Sequence, residues 1–167
     1  MTEITSENIV RKIKNGLPHL GKVTLILKLT EKGILEIEEN YPEKKSKGYS
    51  QGQSEFVPKN GYEDWKKGII NGIEYAYSKL TDNKGLKIII ENAVGLSTDT
   101  NPTIIGFSAS RAILEKLSNC ESETEFEKLE RMVFSSWNYQ YDSIPDFKNE
   151  IIIGKKLPTT PYKKNCW

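Results

Sequence analysis

The chain holds one histidine and two cysteines among 167 residues. A tetrahedral zinc site therefore has no evident donor set, and no metal or cofactor is expected. Cys120 and Cys166, in a chain with no recognisable leader, are expected to be free thiols of a reducing compartment. Residues 1–20 carry charge throughout and include no apolar run of signal-peptide length. The most apolar stretch, Val23 to Leu29, is interrupted by Lys28 and is too short to span a bilayer. A membrane location is thus not expected, and the cytoplasm is the expected compartment. Charge of one sign is also lacking: 24 basic and 23 acidic residues leave +1. That balance excludes a globally basic nucleic-acid coat and a strongly acidic mimic, though not a local patch.

What is present is the composition of an ordinary globular domain, with 37% hydrophobic and 28% charged residues. A chain of this length buries roughly two-thirds of its unfolded surface, so it needs neither disulfide nor metal to be stable. No repeat of solenoid period occurs, and no linker rich in Pro, Gly or Ser divides the chain. One domain over residues 1–157 is expected. Pro158 and Pro161 lead into a tail over residues 158–167.

The apolar pattern supplies the elements. Ile4, Ile9, Val10 and Ile13 share one helical stripe, which predicts a short helix over 4–14. His19 follows in a connecting loop and is expected to be exposed. Val23, Leu25, Leu27 and Leu29 alternate with polar residues and predict a strand. Gly33 turns the chain, so residues 34–39 are expected to return as the hairpin partner. The polar stretch from Asn40 to Glu55 is expected to be either a long loop or a loop followed by a weak edge strand ending at Phe56 and Val57. Trp65, Ile69, Ile73, Ala76 and Leu80 then draw the apolar face of a long helix over 62–80. Lys66 is expected to lie off that face, in solvent. Gly68 and Gly72 each cost such a helix about 1 kcal/mol, which close packing on a neighbour would offset. Leu86 to Glu91 is short, β-branched and bounded by turn residues, as a buried strand is. Asn101 caps a second helix that starts at Pro102 and runs to Leu117. Ser122 and Glu125 form a capping box for a third. Strands at 137–141 and 149–153 close the chain. This order predicts an α+β fold: a mainly antiparallel sheet with helices on one face.

Few constellations suggest chemistry. The loop from Gly95 to Asn101 joins a buried strand to a helix, where a nucleophile elbow or phosphate loop would sit. Asp99 replaces the second glycine of the elbow, and the phosphate-loop lysine is missing. Helix capping accounts for the loop's Ser, Thr, Asp and Asn. The carboxylates Glu36, Glu38, Glu39, Glu63 and Asp64 have the spacing of solvated faces. Two binding candidates remain. Lys44, Lys45 and Lys47 with Tyr49 form a basic loop with an aromatic. Trp137, Tyr139 and Tyr141 alternate, so their rings share one strand face. Such a ladder serves as core, as a protein contact or as a platform for bases.

Gly72-Ile73-Glu74-Tyr75-Ala76, the strand Lys87-Ile88-Ile89-Ile90, and Asp99-Thr100 before a helix with Phe107 and Ala109 together resemble one known domain. It is the fourth domain of translation elongation factor G, matched over residues 56–117. The resemblance implies a βαβα unit on an antiparallel sheet. The family's Gly-x-x-His tip before the aspartate is absent, so no functional residue is carried over. In size and single-domain character the chain also resembles bacterial toxin-neutralising immunity proteins.

The expected function is that of a non-enzymatic binding protein with a protein partner. An RNA- or ribosome-binding module using the basic loop and the aromatic strand is the alternative. A small hydrolase or transferase using the 95–101 loop is the third. The ladder offers a direct test by urea titration. If it is an exposed contact surface, replacing Tyr139 and Tyr141 together by Ala leaves stability nearly unchanged. The expected outcome is a loss of several kcal/mol, as for rings at least partly buried.

Overall fold

A computed structural model describes residues 3–14, 17–31, 33–43, 54–80, 85–96 and 99–117, with Glu130 and two short strands near the C-terminus. The first strands are β1 (Glu3–Lys14), β2 (Leu17–Thr30), β3 (Leu35–Glu39) and β4 (Glu55–Phe56). They are followed by α1 (Glu63–Lys79), β5 (Gly85–Gly95) and α2 (Pro102–Leu117). Two-residue strands β6 (Ile151–Ile152) and β7 (Lys155–Lys156) pair antiparallel with each other. Trp137, Tyr139, Tyr141, Lys44, Lys45, Lys47 and Tyr49 lie outside the described residues, as does the tail over 158–167. Among the described residues no helix is long and apolar enough to cross a membrane.

The main sheet has the order β1-β2-β5-β3, and β4 also pairs with β5. All its pairs are antiparallel except β3 with β5. This is the expected α+β class. Parallel β3 and β5, joined through α1 and followed by α2, form a βαβα unit, whose first strand lies ahead of the expected residues 56–117.

Two expectations are corrected. Residues 4–14 form strand β1, not a helix. Their inward positions are Ile4, Ser6, Asn8 and Val10, while Ile9 and Ile13 face outward and are exposed. The polar inward residues are paired with α2: Ser6 Oγ donates to the Ala112 carbonyl at 2.5 Å. Ser108 Oγ donates to the Asn8 carbonyl at 2.7 Å. A strand whose inward polar groups depend on a distant helix loses its period-two apolar signal. The hairpin of β2 with β3 is also absent. Gly33 does adopt a positive φ of 64°, but β5 lies between the two strands. β5 is apolar enough to be buried on one face along its whole length, and it takes the central place.

β5 keeps that face buried across an irregularity. Leu25 opposes Ile90, whereas Thr24 opposes Asn92, so Glu91 is an extra residue in β5. The bulge switches the inward set from Leu86, Ile88 and Ile90 to Ala93 and Gly95. Val23, Leu25 and Leu27 of β2 point to the same side. Both helices pack there. Ile69 and Ile73 of α1 and Ile104, Ile105 and Ile113 of α2 complete the core, all fully buried.

The two glycines of α1 set the helix spacing. A Cβ on Gly68 would lie 2.3 Å from the Pro102 carbonyl oxygen, and one on Gly72 2.0 Å from that of Gly106. Since 68 meets 102 and 72 meets 106, the helices run parallel and touch backbone to backbone. Helix propensity alone gives Gly72→Ala a gain of about 1 kcal/mol. The contact predicts the opposite sign, a loss of about 1–3 kcal/mol or more. A shift of the urea midpoint in either direction decides between them.

Candidate functional site

The most chemically varied cluster among the described residues gathers at the start of α1. It joins the ends of the segment that leaves β3 and returns at β4. Gly61 and Tyr62 enter the helix with φ of 107° and 56°. The left-handed region is strained for a tyrosine. Three contacts hold it there. The Tyr62 hydroxyl donates to the Glu55 carboxylate. Its ring packs on Trp65 at 4.7 Å between centroids. Its carbonyl accepts the Lys66 amide at 3.0 Å.

Lys66 is only 5% exposed, which corrects the expectation that it is solvated. Its Nζ donates to the Lys59 carbonyl at 2.6 Å and stands 3.5 Å from Glu63. It also lies 5.1 Å from the centre of the Tyr41 ring, within cation–π range. The Tyr41 hydroxyl is buried and has no hydrogen-bond partner among the described residues. Burial, with the charges of Glu39 and Glu63, pushes it above the usual phenol range, so Tyr41 stays neutral. Lys66 is thus engaged on several sides, and the cluster clamps residues 41–43 and 55–61 onto α1. Among the described residues no group of three His, Cys, Asp or Glu side chains is placed to hold a metal.

Sequence reasoning missed Glu55, Tyr62 and Lys66. A signal for Lys66 was available: it lies seven residues before Ile73, hence on nearly the same helix face. Nothing local distinguishes Glu55 from the chain's other glutamates. His19 is likewise corrected. It belongs to β2 and is buried, because it falls on the inward side with Gly21 and Val23.

In the 95–101 loop, the described polar groups are used structurally. The Asn101 side chain accepts the Ile104 amide at 2.9 Å, the expected N-cap. Thr100 Oγ1 accepts from the Leu96 amide at 2.8 Å and donates to the Leu20 carbonyl at 2.5 Å. The Leu20 amide donates to the Asp99 carbonyl at 2.9 Å. These bonds tie the loop to β2.

The second candidate is the outer face of the sheet, opposite both helices. Its charges are paired across strands: Lys28 with Glu3 at 2.8 Å, Lys22 with Glu7 at 2.9 Å, and Lys87 with Glu38 at 2.7 Å. The hydrogen bond from Lys22 holds the Glu7 carboxyl below its ordinary range, and that from Lys87 does the same for Glu38. Lowered carboxylates stabilise the fold above their unfolded pKa and lose that effect as pH falls through the folded value. Exposure to solvent keeps the effect small. One cross-strand row runs Ile9, Lys22, Val94, Phe56 through β1, β2, β5 and β4. Ile9 is 54% and Phe56 47% exposed.

No family model matches the chain, and no curated protein matches it. Among solved structures, a crystal structure of a protein from Thermus thermophilus is similar, with a TM-score of 0.51 and 18% identity. The match covers 69% of this chain and 16% of that one. A mevalonate kinase structure aligns over 88% of this chain and 49% of its own, with a TM-score of 0.39 and 17% identity. At that score it carries no argument. The first likeness is one of fold alone. Neither description bears on translation elongation factor G itself.

The clamp predicts the effect of Lys66→Ala. Removing the buried ammonium leaves the Lys59 carbonyl and the Tyr41 ring uncompensated, at a cost of about 1–3 kcal/mol. Ile73→Ala, in the core, is expected to cost about 2–5 kcal/mol. Urea titrations of both variants check the pair. A change below about 0.5 kcal/mol for Lys66→Ala would return it to the solvated class.

Proposed function

We propose that the chain is a protein-binding domain that acts by contact, of the kind represented by toxin-neutralising immunity proteins. Its contact surface is the outer face of the sheet. The observation that carries this is the row Ile9, Lys22, Val94, Phe56, in which large apolar side chains remain exposed. A half-buried aliphatic pair, Ile26 and Ile89, lies on the same face beyond the polar row of Glu7, Thr24 and Asn92. Exposed apolar groups rimmed by polar ones are the pattern of protein interfaces. The lysines of this face are paired with glutamates, which favours a protein partner over a phosphate backbone here.

The test is coexpression with the product of the neighbouring reading frame. The expected result is a complex and relief of that product's toxicity. Phe56→Asp should abolish both while leaving the urea midpoint of the free protein nearly unchanged. Affinity should change little with salt. An affinity that falls steeply with salt would favour the nucleic-acid alternative, and a Phe56→Asp variant with full affinity would overturn the proposed surface.

A further inference from the structure

β1 is one end of the sheet. It pairs with β2 on one side, and among the described residues no strand pairs with its other edge. A long open edge is a template for pairing that proteins usually blunt. β3, at the far end, is blunted: it is short and carries Glu36, Glu38 and Glu39. β1 runs twelve residues without proline and exposes Ile9 and, at 79%, Ile13.

The charges of β1 are segregated along it. Glu3 and Glu7 lie in the first half, and Arg11, Lys12 and Lys14 in the second. Two such strands repel when parallel and attract when antiparallel. We infer that a second copy of this chain pairs antiparallel with β1, about a two-fold axis through Ile9. Directly opposed residues share a sheet face, so the register follows from their side chains. With the axis at Ile9, Ile9 faces Ile9, Glu7 faces Arg11 on both sides of the axis, and Thr5 faces Ile13. Moving the axis to Glu7 or Arg11 sets like charges opposite each other. Moving it to Asn8 or Val10 sets Glu7 or Arg11 against Ile9 at the centre and loses the Glu7–Arg11 pairs.

The groups needed are available. Lys22 and Thr24 both reach Oε2 of Glu7, which leaves Oε1 for a guanidinium. Arg11 is exposed and makes no ion pair among the described residues. The Asn8 carbonyl accepts from Ser108 and keeps a second lone pair for the ladder. The product is a continuous sheet with α1 and α2 of both copies on one side. On its outer face the Phe56-Val94-Lys22-Ile9 row meets its symmetry copy at Ile9. This pairing requires no other protein and stands independently of the proposed partner.

Sedimentation of the full chain over a concentration series tests it. A reversible monomer–dimer equilibrium is expected. Arg11→Glu should raise the dimer dissociation constant by roughly tenfold or more, and Arg11→Lys should largely preserve it. A second measurement fixes the register. In a background with Cys120→Ser and Cys166→Ser, Ile9→Cys should cross-link on oxidation. Opposed Cα atoms about 4.5–5.5 Å apart are within disulfide reach. Ile13→Cys, which faces Thr5, should not. A chain that stays monomeric at every concentration would overturn the inference. So would a dimer indifferent to Arg11→Glu, or one that cross-links as readily through position 13 as through position 9.

Discussion

The contact between Gly68 and Gly72 of α1 and Pro102 and Gly106 of α2 is the constraint on which the rest depends. Backbone touching backbone leaves no side chain between the helices to adjust. Two helices this close present one continuous apolar underside, and Ile69, Ile73, Ile105 and Ile113 are all fully buried there. The entropy lost by placing glycine inside a helix is offset by that packing.

The position of α2 then determines how β1 can be built. Ser6 and Asn8 face the core side, where an unpaired polar group costs about 1–3 kcal/mol. They are tolerated because α2 lies directly over them: Ser6 donates to the Ala112 carbonyl, and Ser108 donates to the Asn8 carbonyl. A further link runs from Asn8 Nδ2 to the Glu115 carboxylate at 3.3 Å. The edge strand is therefore attached to the domain by directed bonds as well as by its ladder with β2. The Thr100 bond to the Leu20 carbonyl adds a tie at the other end of α2.

The two faces of the sheet divide the chemistry. The inner face is mainly aliphatic and covered, and its polar residues Ser6 and Asn8 are paired with α2. The outer face alternates paired charges with exposed Ile9 and Phe56 and half-buried Val94, Ile26 and Ile89, and among the described residues no helix covers it. The clamp around Lys66 serves the inner side: it anchors the chain on both flanks of residues 44–53 to α1. The surface proposed for recognition is thus carried by strands whose other face is buried under α1 and α2. A rigid backing keeps the ordering cost of binding low.

Where local signals were complete, the sequence alone determined the element. α1 and α2 follow from a repeated apolar stripe, and the start of α2 from Asn101 and Pro102. β5 follows from a β-branched run between turns. The close approach at Gly68 and Gly72 was legible as a need for a neighbour, but only the fold showed that the neighbour is α2. β1 was not legible, because the hydroxyl and amide groups on its inward face are satisfied by α2, a hundred residues away. The pairing of β3 was decided when β5 took the place beside β2 that a hairpin would have given it. Of the buried polar cluster, Glu55, Tyr62 and Lys66 gave no pattern that was recognised. A glutamate or lysine becomes a core residue only when its hydrogen-bond partners arrive with it, and those partners come from segments the tertiary structure brings together.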